Sequence, residues 1–426
     1  MSHDARARLS DLRRAFHRHP EPGWREFRTT ARVVEELERI GVDEIAVGRE
    51  ALATDARMAV PDDDEIRPWL DRARRAGVSD DLLERTAGGH TGVVATLTQG
   101  EGPCIGLRVD LDAISIRESD GSDHRPAAEG FRSEHDGHMH ACGHDAHLAI
   151  ALGTLEAITE SAFEGTVKVL FQPAEEISGG GKAMAESGHL DGVDYLFALH
   201  VGLGHPTGEI VAGVESPLAM AHLTATFEGA SAHAGKAPNE GANAMQAAAA
   251  AIQNAYGIAR HRDGATRVNV GRIEGGSASN VIAEEVTIEA EVRGETTALM
   301  TYARTELERI LYAAAELHDC DVAPHVISES PCVDSHPALR ELIGNVAWDV
   351  DGVERVIPTE EFGVSEDGTY LMQQVQDAGG LASYVLVGTD HPTSHHTPTF
   401  DIDEESLAIG VDLLSDAFVE LSRRRP

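Results

Sequence analysis

The chain opens on helical spacing. Leu9, Leu12 and Phe16, then Val33, Val34, Leu37 and Ile40, recur at the interval of a helix face, and Gly41 ends the run. A further helical stretch over 62–86 carries Trp69, Leu70, Leu82 and Leu83 and closes on Gly88-Gly89. The texture then changes to short apolar runs. TGVVATL (91–97), PCIGLRVDLDAI (103–114), TVKVLFQ (166–172) and VDYLFALHV (193–201) read as buried strands. Between them HLAIALGTLEAI (147–158) and GKAMAESGHL (181–190) have helical character. Strands alternating with helices predict an α/β fold, a mostly parallel sheet with helices on both faces.

A second pattern runs from 218 to 327. LTATFEG (223–229), RVNVGRIEG (267–275) and EVTIEAEVRG (285–294) alternate apolar and polar positions, while 243–259 and 299–318 are helical and DVAPHVIS (321–328) follows. The order β-α-β-β-α-β is that of a ferredoxin-like α+β domain. The chain then returns to helices over 337–349 and 368–378, a strand over 383–389 and a last helix over 404–423. A small domain, 218–327, is therefore expected to be inserted into a larger one made of 1–217 and 328–426.

Composition agrees with two packed domains: 426 residues, of which 42% are hydrophobic, can bury a sizeable core. Seventy-two acidic against 35 basic side chains leave a formal charge of −37, a field that repels phosphate backbones and argues against nucleic acid as a partner. The only lysines are Lys168, Lys182 and Lys236. A dispersed carboxylate surface of this kind suits a salty cytoplasm. Cys104, Cys142, Cys320 and Cys332 are too few for a disulfide framework. The charged N-terminus lacks an apolar signal core, and no window is apolar enough to span a membrane. The expectation is a cytoplasmic protein with no membrane partner.

Chemistry concentrates in four places. His140-Ala-Cys142-Gly-His144-Asp145-Ala-His147 packs three imidazoles, a thiol and a carboxylate into eight residues, the ligand types that borderline metals prefer. Phe-Gln-Pro-Ala-Glu175-Glu176 follows a buried strand, where α/β sheets place their ligands. His200 ends another strand, and His395-His396 lies in a polar loop after a third. Each alone has a bland reading: a solvated Glu pair, a satisfied core histidine, a chance His-His pair. Together they would converge on one sheet edge, where two divalent ions bridged by hydroxide would form a hydrolytic centre. Gly179-Gly-Gly-Lys182 lacks the spacing of a phosphate loop, and a glycine turn before a helix explains it.

HACGHDAH, FQPAEE, the ALH strand end, SAHAG (231–235), SNVI (279–282) and HHTPTF together resemble the aminoacylase/carboxypeptidase-type metallo-amidohydrolases over nearly the whole chain. The closest group holds the indole-acetyl-amino-acid, hippurate and aminobenzoyl-glutamate hydrolases. Trp24-Arg-Glu-Phe, Gly48-Arg-Glu, the 62–86 segment and Ser365-Glu-Asp resemble one of the two different subunits of the aminobenzoyl-glutamate hydrolase type.

The resemblance implies roles. Cys142, His144, Glu176, His200 and His396 would hold two divalent ions, manganese or zinc, with the Cys142 sulfur bridging them. Glu175 would be general base and acid, and Asp110 would orient a ligand. From the inserted lid and dimerisation domain, His233 would polarise the scissile carbonyl in a partner subunit's site. Asn280 and Arg293 would hold the substrate's oxyanion or carboxylate, although Arg293 reads equally well as a strand-face ion pair. The family's usual proline after Asn280-Val-Ile is Ala283 here, and Ile114-Ser115 replaces its Leu-Pro, changes that bear on pocket shape rather than chemistry. The activity implied is cleavage of N-acyl or N-aroyl amino acids, p-aminobenzoyl-glutamate among them, by a homodimer or a heterodimer with a related subunit. The competing expectations are a metallo-carboxypeptidase for small peptides and a non-catalytic metal-dependent binding protein. Glu175 argues against the latter, since a binder needs no proton shuttle.

Overall fold

The structure, a computed structural model, describes residues 2–424. The chain divides into two compact units, one made of the chain up to Glu215, Val333–Glu361 and the chain from Asp367, the other of Ser216–Cys332 and Phe362–Glu366.

In the first unit, strands β1 (Glu44–Val47), β2 (Val93–Gln99), β3 (Cys104–Asp110), β4 (Gly165–Gln172), β5 (Tyr195–Val201) and β6 (Glu209–Val211) precede the insertion, as does the short β7 (Val214–Glu215). The second unit contributes β8 (Ala219–Glu228), β9 (Thr266–Gly275), β10 (Glu285–Gly294) and β11 (Asp321–Ser330). The first unit resumes with β12 (Arg355–Ile357), β13 (Glu360–Glu361) and β14 (Leu381–Val387). Its main sheet has the order β1-β2-β4-β3-β5-β14-β6-β12. The centre, β4-β3-β5-β14, is parallel throughout, with antiparallel β1 and β2 on one side. Alternate residues of the central strands, among them Ile105, Leu107, Val169, Phe171, Phe197, Leu199 and Val385, join one apolar core with helices His3–His17, His144–Thr159 and Glu405–Ser422. Helices Gly181–Ala185 and Thr369–Asp377 pack on the central strands too. Burial on both faces explains why these strands read as unbroken apolar runs.

The second unit is a four-stranded antiparallel sheet in the order β11-β8-β10-β9. Ala221, Leu223, Ala225, Phe227, Val286, Ile288 and Val292 pack against the helices Ala244–Ala255 and Thr297–Leu317. This is the ferredoxin-like arrangement. Two helices are shorter than their patterns suggest: the one begun at Ala244 stops at Ala255, and the one begun at Gly181 stops at Ala185.

The first helix is anchored by charge as well as by apolar contact. Arg13, fully buried, places Nε 2.7 Å from Asp145 and Nη2 2.8 Å from Asp401. The buried His17 ring spans Asp145 at 2.8 Å and Glu118 at 3.0 Å. Burial and the neighbouring Arg13 oppose charge on His17, but the hydrogen bonds to Asp145 and Glu118 prevail and push it up to about 9. A group whose folded pKa is raised stabilises fully below its unfolded pKa, near 6.5, and stops doing so as pH rises through about 9. The contribution is on the order of 3 kcal/mol. His17→Gln is therefore expected to lose most stability at pH 6, with the gap to the parent closing by pH 10, as read by urea unfolding at both values. A gap that does not change with pH would contradict the assignment.

Candidate metal centre

Four parallel strands deliver the donors to one edge. Asp110 ends β3, Glu175 and Glu176 follow β4, His200 is the penultimate residue of β5, and His396 lies in the loop after β14. Cys142 and His144 arrive on the loop that leads into helix His144–Thr159. The glycine between them is required. Gly143 has φ of 87°, and a Cβ there would meet Val201 Cγ2 at 2.5 Å.

The donors form overlapping triads. Cys142, His144 and His200 present ligand atoms within 4.8 Å of one another, and so do Cys142, Glu176 and His396. Cys142 belongs to both. Its Sγ lies 3.4 Å from His200 Nε2. His396 Nε2 lies 3.3 Å from Glu176. His144 Nε2 faces Asp110 at 3.9 Å, Glu175 at 3.7 Å and Glu176 at 3.8 Å.

Each imidazole is aimed by its other nitrogen. His144 Nδ1 donates to the Asp112 carbonyl at 2.8 Å, and His200 Nδ1 donates to the Val201 carbonyl at 2.8 Å. The inward nitrogens, once deprotonated, present lone pairs to an ion. Electrostatics point the same way. Burial disfavours a charged His144, yet Asp110, Asp112 and Glu176 outweigh it and push the ring up to about 10. Burial, then Glu176 and Glu175, holds the Cys142 thiol well above its ordinary value. His144 Nε2 and Glu176 Oε1 are buried without any hydrogen bond. An orphaned imidazole nitrogen and carboxylate oxygen beside a thiol, in a carboxylate nest that draws in positive charge, fit divalent ions well.

Several residues that hold this site were not singled out in the sequence. Asp110 is fixed from both sides: Oδ2 lies 3.2 Å from His147 Nδ1 and Oδ1 lies 2.5 Å from Arg108. His147 in turn accepts the Val201 N–H at 3.1 Å. Buried Arg108 also donates to Gln172 at 2.8 Å, and Gln172 donates to Asp367 at 2.6 Å. The Glu175-Glu176 turn is gripped by two carboxylates. Glu26 accepts the Ala174 N–H at 2.8 Å and the Thr91 hydroxyl at 2.6 Å, and Asp112 accepts the Glu176 N–H at 3.1 Å. Ala174 itself has φ of 56°, an unusual conformation for alanine that those bonds hold. The glycine run after the turn is a packing device: a Cβ on Gly180 would lie 1.8 Å from the Pro173 carbonyl oxygen.

Three of the expected substrate residues belong to the second unit. A backbone bridge between His233 and Val281 brings His233 beside Asn280, whose carbonyl accepts the Ala234 N–H at 3.0 Å, and both side chains are exposed. Arg293 on β10 is forked onto Glu291 at 2.5 and 3.1 Å, the strand-face ion pair.

A parallel-sheet edge carrying a Cys/His/Glu donor nest beside a further glutamate defines a metal-dependent amide hydrolase. The chain belongs to peptidase family M20/M25/M40, which matches residues 106–420. It is 39% identical over 412 residues to one subunit of the p-aminobenzoyl-glutamate hydrolase of Escherichia coli K12, covering 96% of this chain and 94% of that protein. It is 38% identical over 411 residues to indole-3-acetyl-aspartic acid hydrolase of Enterobacter agglomerans, with the same coverage of 96% and 94%. Among solved structures, the aminobenzoyl-glutamate utilization protein of Klebsiella pneumoniae superposes with a TM-score of 0.84 at 32% identity, covering 99% of this chain and 97% of that one.

Removing the Glu26 carboxyl leaves the Ala174 N–H unpaired in a buried place and the Thr91 hydroxyl with only a long 3.5 Å bond to the Gly89 carbonyl. Glu26→Ala is expected to cost about 1–3 kcal/mol. Glu26→Gln, which keeps an acceptor for Ala174, should recover much of it in thermal unfolding. Equal losses in the two variants would show that the acceptor does not hold the turn.

Proposed function

We propose that this protein hydrolyses the amide bond of N-acyl or N-aroyl amino acids, p-aminobenzoyl-glutamate among them, releasing a carboxylic acid and a free amino acid. The observation that carries this reading is the pair of donor triads sharing Cys142, with Glu175 beside them at 3.7 Å from His144 Nε2. Cys142, His144, Glu176, His200 and His396 would hold two divalent ions, manganese or zinc. Those ions supply Lewis acidity toward water and the scissile carbonyl. Glu175 takes the proton from the attacking water and delivers it to the departing amine nitrogen. Asp110, braced by Arg108 and His147, keeps the donors oriented.

In the second unit, read as lid and dimerisation domain, His233 of one chain polarises the substrate carbonyl bound by the other. Asn280 steadies the developing oxyanion. Arg293 takes a substrate carboxylate only by exchanging it for Glu291. The partner is a second copy or a related chain. Support for a partner comes from the Escherichia coli relative, which is itself one subunit of its enzyme. Among the described residues no helix is long and apolar enough to cross a membrane. The protein is read as cytoplasmic, its acidic surface adapted to salt.

Glu175→Ala is expected to lower kcat by about 10²–10⁴-fold while metal content persists. His144→Ala and Glu176→Ala should lose metal as well as activity. Elemental analysis and amine release from a panel of acyl-amino acids read both, and full turnover after exhaustive chelation would overturn the proposal. Salt should act in a predictable direction. The carboxylate surface repels itself less as the Debye length falls from about 10 Å at about 0.1 M to about 3 Å at about 1 M. The melting temperature should therefore rise with potassium chloride over that range, and a falling one would remove the halophilic reading.

A further inference from the structure

In a chain with 72 acidic and 35 basic side chains, a place where arginines lack carboxylate partners stands out. One occurs in the first unit, around the first turn of helix Phe27–Ile40, the helix Asp63–Arg75 and the loop before His140. The Arg72 guanidinium stacks on Trp69 at 4.6 Å. Trp69 meets the rings of His135 and His138 edge-on at 5.3 and 4.9 Å. Both Arg72 and Arg28 depress His135, which burial first brings down to about 4, and Arg72 also depresses His138. The rings are thus neutral at pH 7, and the charge of the cluster is that of the guanidinium groups.

Two nearby acids are paired elsewhere. Glu65 pairs with Arg25, and Asp136 pairs with Arg117 at 3.2 Å. Glu134 is the exception: exposed and 3.8 Å from His19, whose imidazole is brought down to about 4, it stands in solvent at the rim of the cluster. The buried Glu21 carboxyl near Arg28 accepts the backbone N–H groups of Arg28 and Thr29 and the Thr29 hydroxyl, and burial pushes it up to about 7. Among the described residues neither Arg28 nor Arg72 makes an ion pair, and His138 Nδ1 is buried without a hydrogen-bond partner. The cluster is close to the metal centre by chain length alone. His138 precedes Cys142 by four residues, so their Cα atoms are at most about 14 Å apart.

We infer that Arg28, Arg72, Trp69 and His138 form a subsite for an anionic group of the substrate, the side-chain carboxylate of an acidic amino-acid conjugate. Guanidinium groups supply paired donors matched to a carboxylate, Trp69 holds one of them flat, and the neutral His138 ring offers its N–H. The inference rests on the amidohydrolase reading for the nature of the substrate but not for the presence of the subsite. It assigns to particular side chains a preference that the names of the two bacterial relatives, a glutamate and an aspartic acid conjugate hydrolase, state for those proteins.

The test is calorimetric binding to the full chain, loaded with manganese and carrying Glu175→Ala so that nothing turns over. p-Aminobenzoyl-glutamate is compared with p-aminobenzoyl-alanine, which shares its aromatic group and α-carboxylate. The glutamate conjugate should bind about tenfold or more tightly. Arg28→Ala with Arg72→Ala should erase that preference while leaving the alanine conjugate unchanged. Arg28→Gln and Arg72→Gln, made singly and checked by circular dichroism, should each remove part of it if the double variant fails to fold. No preference in the parent, no binding of either conjugate, or a preference that survives the replacements would overturn the subsite. Amine release is measured separately with Glu175 intact: a preference without turnover sinks the hydrolase reading and leaves the subsite standing.

Discussion

The carboxyl groups of Asp110, Glu175 and Glu176 face one nitrogen of a buried imidazole, His144, and that of Asp112 faces the other, so the buried negative charge calls for positive charge among it. Burial pushes Asp110 and Asp112 up, and the same carboxylates draw a proton onto His144. A site built this way is poised to exchange protons for metal. The neighbouring elements keep the groups from relaxing apart. Arg108 and His147 brace Asp110, Asp112 and Glu26 grip the turn before the glutamates, and Gly143 lets Cys142 and His144 share one bend.

The scaffold explains how distant residues can be held together. Parallel strands end on one side, so each loop that follows them reaches the same edge. Rigidity comes from beneath. The buried Arg13–Asp145 pair ties the first helix to the residue after His144, and Arg13 continues to Asp401 in the segment after His396. A buried ion network of this kind costs desolvation, and its return is geometry: three distant parts of the chain are fixed around the donors.

Much of this was legible in the sequence. The apolar runs that became β3, β4, β5 and β14 marked themselves because burial on both faces demands unbroken apolar character. The Cys142/His144 cluster and the Glu175-Glu176 pair were visible because ligand types concentrated at strand ends. The short strands β1, β6, β7, β12 and β13 left no signal, since a few residues at a sheet margin carry no period. Glu26, Arg108 and Asp367 were invisible for a different reason. Glu26 finds Ala174 across 148 positions and Gln172 finds Asp367 across 195, so their partners exist only once the chain has folded. For Arg293 the sequence left two readings, and its fork onto Glu291 is the pair that a strand's alternate residues present to one another.

The sharing of Cys142 between two donor triads is the point on which the chemistry turns. Titration of the metal-free chain with cobalt(II), followed by absorption spectroscopy, tests it directly. The account predicts two equivalents bound per chain and a thiolate-to-cobalt charge-transfer band that disappears in Cys142→Ser. Saturation at one equivalent, or a spectrum that Cys142→Ser leaves unchanged, would contradict it.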